Sequence, residues 1–445
     1  MNLYGQDQPP DIYRGFQKVL IAQNRIQNAL EVAEQGRYRA LKNLFITRLG
    51  IEPKFPHSNT PPDLARIQKV AKTFNATLVE YSIIYNDNQI SQLSGYRLPF
   101  DDHFAYAEAL FIWLVKPSGD ITFRKVNLKA ETNKILLSTL VRSLRESINA
   151  KSPIIPDIFC HPPLHYLYQF LIQPIADLLP SNPESRVIFI PQDFLFLVPF
   201  CALQDSDGSY LIEKHTISMA PSIFYLELTL ENQRINPAKF PDPSDCLIVG
   251  NPIMPSIYRP IDELDASLSA LPNAEIEALQ VAELLETEAL IGLDATKTTV
   301  LTKITTSQII HFATHILGED KGGLAGAIAL TPSPNDGFLR LFEILQQKIN
   351  AELVVLSGYD TTHGKLWGDG VVMITSGFLG SGALSLILSL WQNNFDKPPS
   401  LIKDFYHNWL QTGDKALSLR NAMLATMKEY PQPQNWAWLV LIGHP

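Results

Sequence analysis

Five short apolar runs govern what this chain can fold into: VIFI at 187–190, CLIVG at 246–250, IIHFA at 309–313, LVVLS at 353–357 and LSLILSLW at 384–391. Each is continuous rather than alternating, and β-branched residues are frequent in them. A strand with one wet face alternates apolar with polar side chains, whereas a continuous run needs both faces covered. Helical patterns lie between several of the runs, at 273–286, 295–305, 340–348, 369–381 and 398–409. Buried strands alternating with helices make a mostly parallel sheet with helices on both faces. The C-terminal part is therefore expected to be α/β. Ligands of such sheets meet the carboxyl ends of the strands, so the residues after IIHFA and LVVLS are the first place to look for chemistry.

The grammar upstream of Arg186 is different. Ile12, Phe16, Val19 and Leu20 recur at helical spacing, followed by Ile26, Leu30 and Ala33. Gly36 lies where a helix could cap or bend before the pattern resumes at Arg37. Residues 1–50 thus read as a short helical, repeat-like segment, too short to stand alone as a superhelix of repeats. Ile51 to Pro62 holds four prolines in twelve residues and reads as a linker. Residues 63–240 read as a mixed α+β region. It has a helix at 63–76, a strand at 77–85 and a β-hairpin of 110–115 with 121–126, and helices follow at 129–149 and 164–179. The hairpin turns at Pro117-Ser118-Gly119-Asp120, where Pro fixes φ and Gly permits a positive one. The polar stretch Asn86 to Glu108 reads as a loop. Residues 241–445 form the α/β domain.

Composition excludes several classes. Lys and Arg number 36 against 45 Asp and Glu, a net charge of −9, which argues against a general nucleic-acid binder. The three cysteines, Cys160, Cys201 and Cys246, are too scattered for a disulfide framework or a zinc site. The longest apolar run, Gly382 to Trp391, is about half the ~20 residues of a membrane span. The opening MNLYGQDQPPDIYRGF has neither the basic nor the apolar part of a signal peptide, so the chain reads as cytoplasmic. Gly322, Gly323 and Gly326 lack the Lys-Ser/Thr of a phosphate loop. No metal or cofactor is expected.

After IIHFA come Thr314 and His315. After LVVLS come Gly358, Tyr359, Asp360, Thr361, Thr362, His363 and Gly364. A His at one strand end, facing a residue at the end of its neighbour, is the layout of a base–nucleophile pair. The plain alternative is a satisfied structural polar group.

Several further stretches bear on that choice. HFATH at 311–315, GAIALTPS at 326–333, DG at 336–337, AELVVLS at 351–357, GDGVV at 368–372, SLW at 389–391, FY at 405–406, GDKALSLRNAM at 413–423 and WAWLVLIG at 436–443 together resemble a CHAT domain. The likeness extends upstream through RVIFIPQDFLFLVPFCAL at 186–203 to EVAEQGRYRAL at 31–41, which resembles the end of a tetratricopeptide array. CHAT is a caspase-like peptidase domain, often attached to such repeats in bacteria, in the clan of caspase, separase, legumain and gingipain. The resemblance implies a caspase-like sheet. It also implies a mechanism in which a Cys thiolate attacks a peptide carbonyl, a His moves the proton and backbone N–H groups hold the oxyanion.

Carried over residue by residue, the family His is His315 and the family Cys position holds Tyr359. Gly358 takes the place of an alanine, Asp360 the acidic place and Thr361 the next threonine. The glycine after the family His is Ile316 here, and Thr362 replaces another glycine. A phenol of pKa ~10 is protonated at neutral pH and makes a poor acyl acceptor. Losing the nucleophile costs a model serine peptidase roughly six decades of rate. Ile316, Gly358, Asp360, Thr361 and Trp391 are candidates for lining the substrate cleft.

The resemblance therefore implies a catalytically inactive CHAT-type pseudo-peptidase, acting as a binding, scaffold or regulatory protein. Its expected partner is a protein or peptide, such as an active CHAT peptidase or a tetratricopeptide repeat protein; neither nucleic acid nor membrane is expected. The alternative is an active cysteine or Ser/Thr peptidase that uses a non-standard nucleophile with His315. Ser357, Thr361 and Thr362 are the hydroxyls at hand. Cys201 and Cys246 read as core residues, and Cys160 has His161 beside it without a geometry that pairs them.

Overall fold

The computed structural model describes residues 11–43, 60–86, 106–128, 136–149, 163–235, 242, 245–257, 266–317, 326–360, 368–391 and 401–445. The chain divides into two compact units, Met1–Leu228 with Lys365–Asp369, and Thr229–Gly364 with Gly370–Pro445.

In the first unit, α1 (Asp11–Ala22) and α2 (Ile26–Asn43) form a helical hairpin. Gly36 does not end a helix. It lies within α2, and a Cβ there would meet the Tyr13 side chain at 3.2 Å. Its lack of a side chain lets the two helices approach. The apolar residues of α1 divide unexpectedly: Leu20 is buried, while Ile12, Phe16 and Val19 are 55%, 51% and 51% exposed.

The inner face of α2 is fastened by charge as well as by packing. Glu34 accepts hydrogen bonds from the backbone of Ile223 and Phe224 at 3.2 and 3.1 Å, at the start of a later helix. Arg37 donates to Glu80 at 3.1 Å and to the carbonyls of Tyr81 and Pro191 at 2.6 and 2.7 Å. Burial pushes the Glu34 and Glu80 carboxyls up, Glu80 well above the ordinary range. The neighbouring Glu34 adds to the rise at Glu80, and Arg37 opposes it.

Helix α3 (Leu64–Phe74) starts at Asp63, whose side chain accepts from Arg66 N–H. It leads into β1 (Ala76–Tyr85), β2 (Ala107–Val115) and β3 (Ile121–Asn127). The turn between β2 and β3 is the one read from the sequence, with Gly119 at φ 92°. Every residue of β1 is buried, Glu80 and Ser82 included. Helices α4 (Leu137–Asn149) and α5 (Pro163–Leu171) precede β4 (Arg186–Ile190) and β5 (Thr216–Met219), and α6 (Ile223–Ile235) follows. The sheet order is β3-β2-β1-β4-β5, antiparallel on the β3 side of β1 and parallel beyond it.

The second unit carries the predicted α/β sheet. Its strands are β6 (Cys246–Pro252), β9 (Ala289–Gly292), β10 (Ile309–Ala313), β14 (Leu353–Leu356), β16 (Ser385–Ser389) and β17 (Leu439–Gly443). They lie in the order β17-β16-β14-β10-β6-β9, all parallel except β17. Its helices include α7 (Pro272–Leu284), α8 (Lys297–Lys303), α9 (Leu341–Leu345), α10 (Gly368–Gly380), α11 (Leu401–Thr412) and α12 (Lys415–Glu429).

Helices cover both faces of this sheet, as two neighbouring residues of β10 demonstrate. Consecutive strand side chains point to opposite faces. His311 meets Glu277 of α7 at 2.9 Å and Tyr406 of α11 at 3.1 Å, while the Phe312 ring lies 6.5 Å from that of Phe378 on α10. Both covered faces explain why the strand sequences are continuous. Asp414 caps α12 by accepting from Leu417 N–H, and the next residue, Lys415, is buried against Glu352 at the start of β14.

Four short strands make a separate sheet beyond the carboxyl ends of the main one. They are β11 (Ile316–Leu317), β12 (Ile328–Ala329), β13 (Phe338–Leu339) and β15 (Tyr359–Asp360), in the order β13-β12-β11-β15. A last pair, β7 (Ser256–Ile257) and β8 (Ala266–Ser267), is antiparallel.

Candidate functional site

β10 and β14 run parallel, in register from Ile309 with Leu353 to Phe312 with Leu356. Their continuations stay together past the main sheet. Ser357 N–H donates to Phe312 O at 3.1 Å, and Ile316 then pairs with Tyr359 and Leu317 with Asp360. The parallel register thus carries the segments after IIHFA and LVVLS to neighbouring positions, with His315 one residue before Ile316 and Gly358 one before Tyr359.

The crossing is tight. A Cβ on Gly358 would fall 1.9 Å from Thr314 O, closer than any side chain tolerates. The family's alanine does not fit here. Thr314 is fully buried, and its hydroxyl donates to Ala329 O at 2.9 Å. Ile316 is 2% exposed, and its N–H donates to Gly358 O at 3.3 Å. The backbone donor next to the His position is therefore engaged within the fold.

His315 is half-buried. Its Nε2 lies 2.8 Å from Ser269 O. A carbonyl only accepts, so Nε2 carries a proton. Nδ1 has no partner among the described residues. The segment that receives Nε2 is itself held: Asn251, just after the main run of β6, accepts from Leu271 N–H at 2.8 Å and donates to Glu275 at 2.9 Å. Asn251, Ser269 and Glu275 were missed in the sequence. The rule that sites lie at strand carboxyl ends could have found Asn251, the residue after CLIVG. Nothing in the sequence marks Ser269, because it contributes only a backbone carbonyl.

The other sequence candidates fall as follows. The backbones of Tyr359 and Asp360 are described and their side chains are not. Thr361, Thr362 and His363 lie outside the described residues, as does Cys160 with its neighbour His161. Trp391 follows β16, is buried, and donates its indole N–H to Gln434 O at 3.2 Å. Ser357 is buried, and its hydroxyl points to Phe312 O at 3.5 Å.

Cys246 opens β6 in register with Ile309, six residues before His315, roughly 20 Å away at strand rise. Burial, with Asp245 and Asp242 adding, pushes its thiol up to about 11. Cys201 belongs to the first unit, and burial pushes its thiol up to about 12. Neither supplies a thiolate at neutral pH. Among the described residues no group of three or more His, Cys, Asp or Glu side chains is placed to hold a metal ion, and no helix is long and apolar enough to cross a membrane.

A sheet parallel but for one strand, covered by helices on both faces and bearing a His at one strand end beside a second strand-end motif, is a caspase-like α/β fold. The yeast separase of the Saccharomyces cerevisiae separase–securin crystal structure shares it with a TM-score of 0.52 at 12% identity, over 95% of this chain and 34% of that one. The family model of the CHAT domain matches residues 161–444, well over half of the sequence, and the chain belongs to the CHAT domain family. Tetratricopeptide repeat protein 28 of Homo sapiens is 29% identical over 97% of this chain, and that of Mus musculus 27% over 97%. The chain spans 22% of the length of each of these two relatives.

Proposed function

We propose that this chain is a catalytically silent CHAT-type pseudo-peptidase whose former active site serves to bind a protein or peptide. One observation carries the reading. Tyr359, which the resemblance sets at the family's Cys position, lies in register beside Ile316, whose N–H donates to Gly358 O. Without a thiolate and with that donor engaged, neither the attack nor the charge it creates is served. The raised thiols of Cys201 and Cys246 support the same view.

The test is hydrolysis of a peptide library by wild type and by His315→Ala side by side. Equal turnover at background level is the expected result. Turnover that depends on His315 would overturn the reading and favour a peptidase with a non-standard nucleophile, which the Nδ1 of His315, without a partner among the described residues, would support.

The partner is proposed to be a helical-repeat protein or an active CHAT peptidase that this chain regulates. The relatives named as tetratricopeptide repeat proteins support the first, and so does the apolar stripe Ile12, Phe16 and Val19 on α1. That stripe has the spacing of a helix-packing face and is exposed. Recovery of a repeat protein or a CHAT peptidase with the wild-type chain, and its loss with Phe16→Glu, is the expected outcome. A partner retained by Phe16→Glu would remove the stripe from the account.

A further inference from the structure

Two carboxyls and one guanidinium meet where α2 rests on the first unit. Glu34 of α2 and Glu80 of β1 are 0% and 1% exposed. Both face the same Arg37 nitrogen: Nε lies 3.1 Å from Glu80 Oε1 and 3.9 Å from Glu34 Oε1. The other guanidinium nitrogens are committed to the carbonyls of Tyr81, Ile190, Pro191 and Pro221. The two carboxyls also stand within hydrogen-bonding reach of each other. Among the described residues, Arg37 is the one cation set against either of them. β4 and α6 bring only backbone groups to the cluster, the carbonyl of Ile190 and the N–H groups of Ile223 and Phe224. With both carboxyls ionised the site would carry one uncompensated negative charge, which burial penalises heavily. One atom would also be stranded, because Glu80 Oε2 is buried and finds no donor. Glu34 is better served: its two oxygens accept backbone N–H groups at the start of α6, which favours its charged form.

We infer that Glu34 and Glu80 share one proton at neutral pH, and that this proton locks the α1–α2 hairpin onto the first unit. The proton sits on Glu80 Oε2 and is donated to the Glu34 carboxylate. The stranded oxygen then becomes a donor, and Glu34 keeps lone pairs enough to accept it. The cluster becomes neutral, one carboxylate against one guanidinium. Burial first, and then the neighbouring Glu34, hold the Glu80 carboxyl well above the ordinary range against the pull of Arg37. The bond so formed joins a side chain of α2 to a side chain of β1. Losing the proton leaves two buried carboxylates facing each other across that contact, and like charges push the helix from the strand. The lock is therefore closed below the raised value and opens as pH rises through it.

The experiment is urea unfolding of the full chain at several pH values from about 6 to 8, where an unfolded chain has released its carboxyl protons. Wild type is compared with Glu80→Gln, so that the histidines and other common groups cancel. In Glu80→Gln an amide N–H takes the place of the proton, and the fold should hold. While the pair keeps its one proton, the folding constant of wild type should fall about tenfold per pH unit relative to Glu80→Gln. Glu34→Gln should remove the same proton, because Glu80 is then alone with Arg37 and ionises. Infrared spectra of protein made with isotope-labelled glutamate should show a protonated carboxyl band at neutral pH that Glu80→Gln lacks. Amide exchange, corrected for its intrinsic pH dependence, should show α2 losing protection as pH rises in wild type and keeping it in Glu80→Gln. Equal pH dependence of wild type and Glu80→Gln, or a wild type without the protonated band, would refute the proton. Its loss in Glu80→Gln but not in Glu34→Gln would refute the sharing. Protection of α2 that stays constant while the band disappears would refute the lock.

Discussion

Gly358→Ala adds one methyl group where β10 and β14 leave the main sheet, and its cost can be worked from the crossing. The new Cβ would stand 1.9 Å from Thr314 O and 2.6 Å from Thr314 C. Both are backbone atoms, so no side chain can swing aside. The two segments must part by about an ångström, an overpacking strain of roughly 1–3 kcal/mol. Parting them also stretches the Ile316 N–H bond to Gly358 O and the Ser357 N–H bond to Phe312 O, now 3.3 and 3.1 Å. Each is worth about 1 kcal/mol net. The expected loss is about 2–4 kcal/mol, read as a lower urea midpoint in circular dichroism, in the second unit's transition if the two units unfold separately. Gly15→Ala is the control. It lies in α1 with nothing within 4 Å of the added Cβ, and should be neutral or stabilising by about 0.5–1 kcal/mol. Stability of Gly358→Ala within about 0.5 kcal/mol of wild type would refute the close crossing on which the site description rests.

Tyr359→Cys should yield little peptidase activity by itself, because Ile316 N–H remains engaged; adding Ile316→Gly should raise activity more than the two single changes combined, since nucleophile and oxyanion donor act as a unit. Fluorogenic peptide cleavage checks this, and vigorous cleavage by Tyr359→Cys alone would count against a closed oxyanion site. Lys415→Met leaves Glu352 buried without its counter-charge and should cost about 3–5 kcal/mol in urea unfolding, with Lys415→Met/Glu352→Leu recovering most of the loss. The Glu34 and Glu80 carboxyls are held above their unfolded values, so their favourable contribution is complete below the ordinary carboxylate range. It falls as pH rises through the raised values. The first unit should therefore melt at lower temperature as pH rises above the ordinary carboxylate range, and Glu80→Gln should flatten that dependence; a melting temperature that climbs over the same window would contradict the assignment. Deleting residues 1–50 should destabilise the first unit, because Glu34 and Arg37 tie α2 to it; an unchanged melt would show the hairpin to be an independent module.

The α/β core was legible because its cause is local in sequence. Strands covered by helices on both faces must be apolar on both faces, and IIHFA and LVVLS carry that signature whatever their neighbours. In β1 the polar residues Glu80 and Ser82 have the spacing of a wet strand face, yet both are buried, Glu80 against Arg37 from α2. Gly36 looked like a helix end because glycine often is one, whereas here it serves a helix contact whose other half is Tyr13. Ile12, Phe16 and Val19 had the spacing of a buried face, and spacing cannot say which face of a hairpin finds a partner within the chain.

The sequence by itself determined the strand-end positions of His315 and Tyr359 and the sheet that brings such ends together. Only the tertiary structure decided what those positions can do. The proton on Nε2 of His315 meets the carbonyl of Ser269, which any residue could offer. The donor of Ile316 is spent on the carbonyl of Gly358. These contacts rest on backbone atoms that are far apart along the chain, and backbone atoms carry no sequence signature. Their chemistry exists only once the fold has set them at hydrogen-bonding distance.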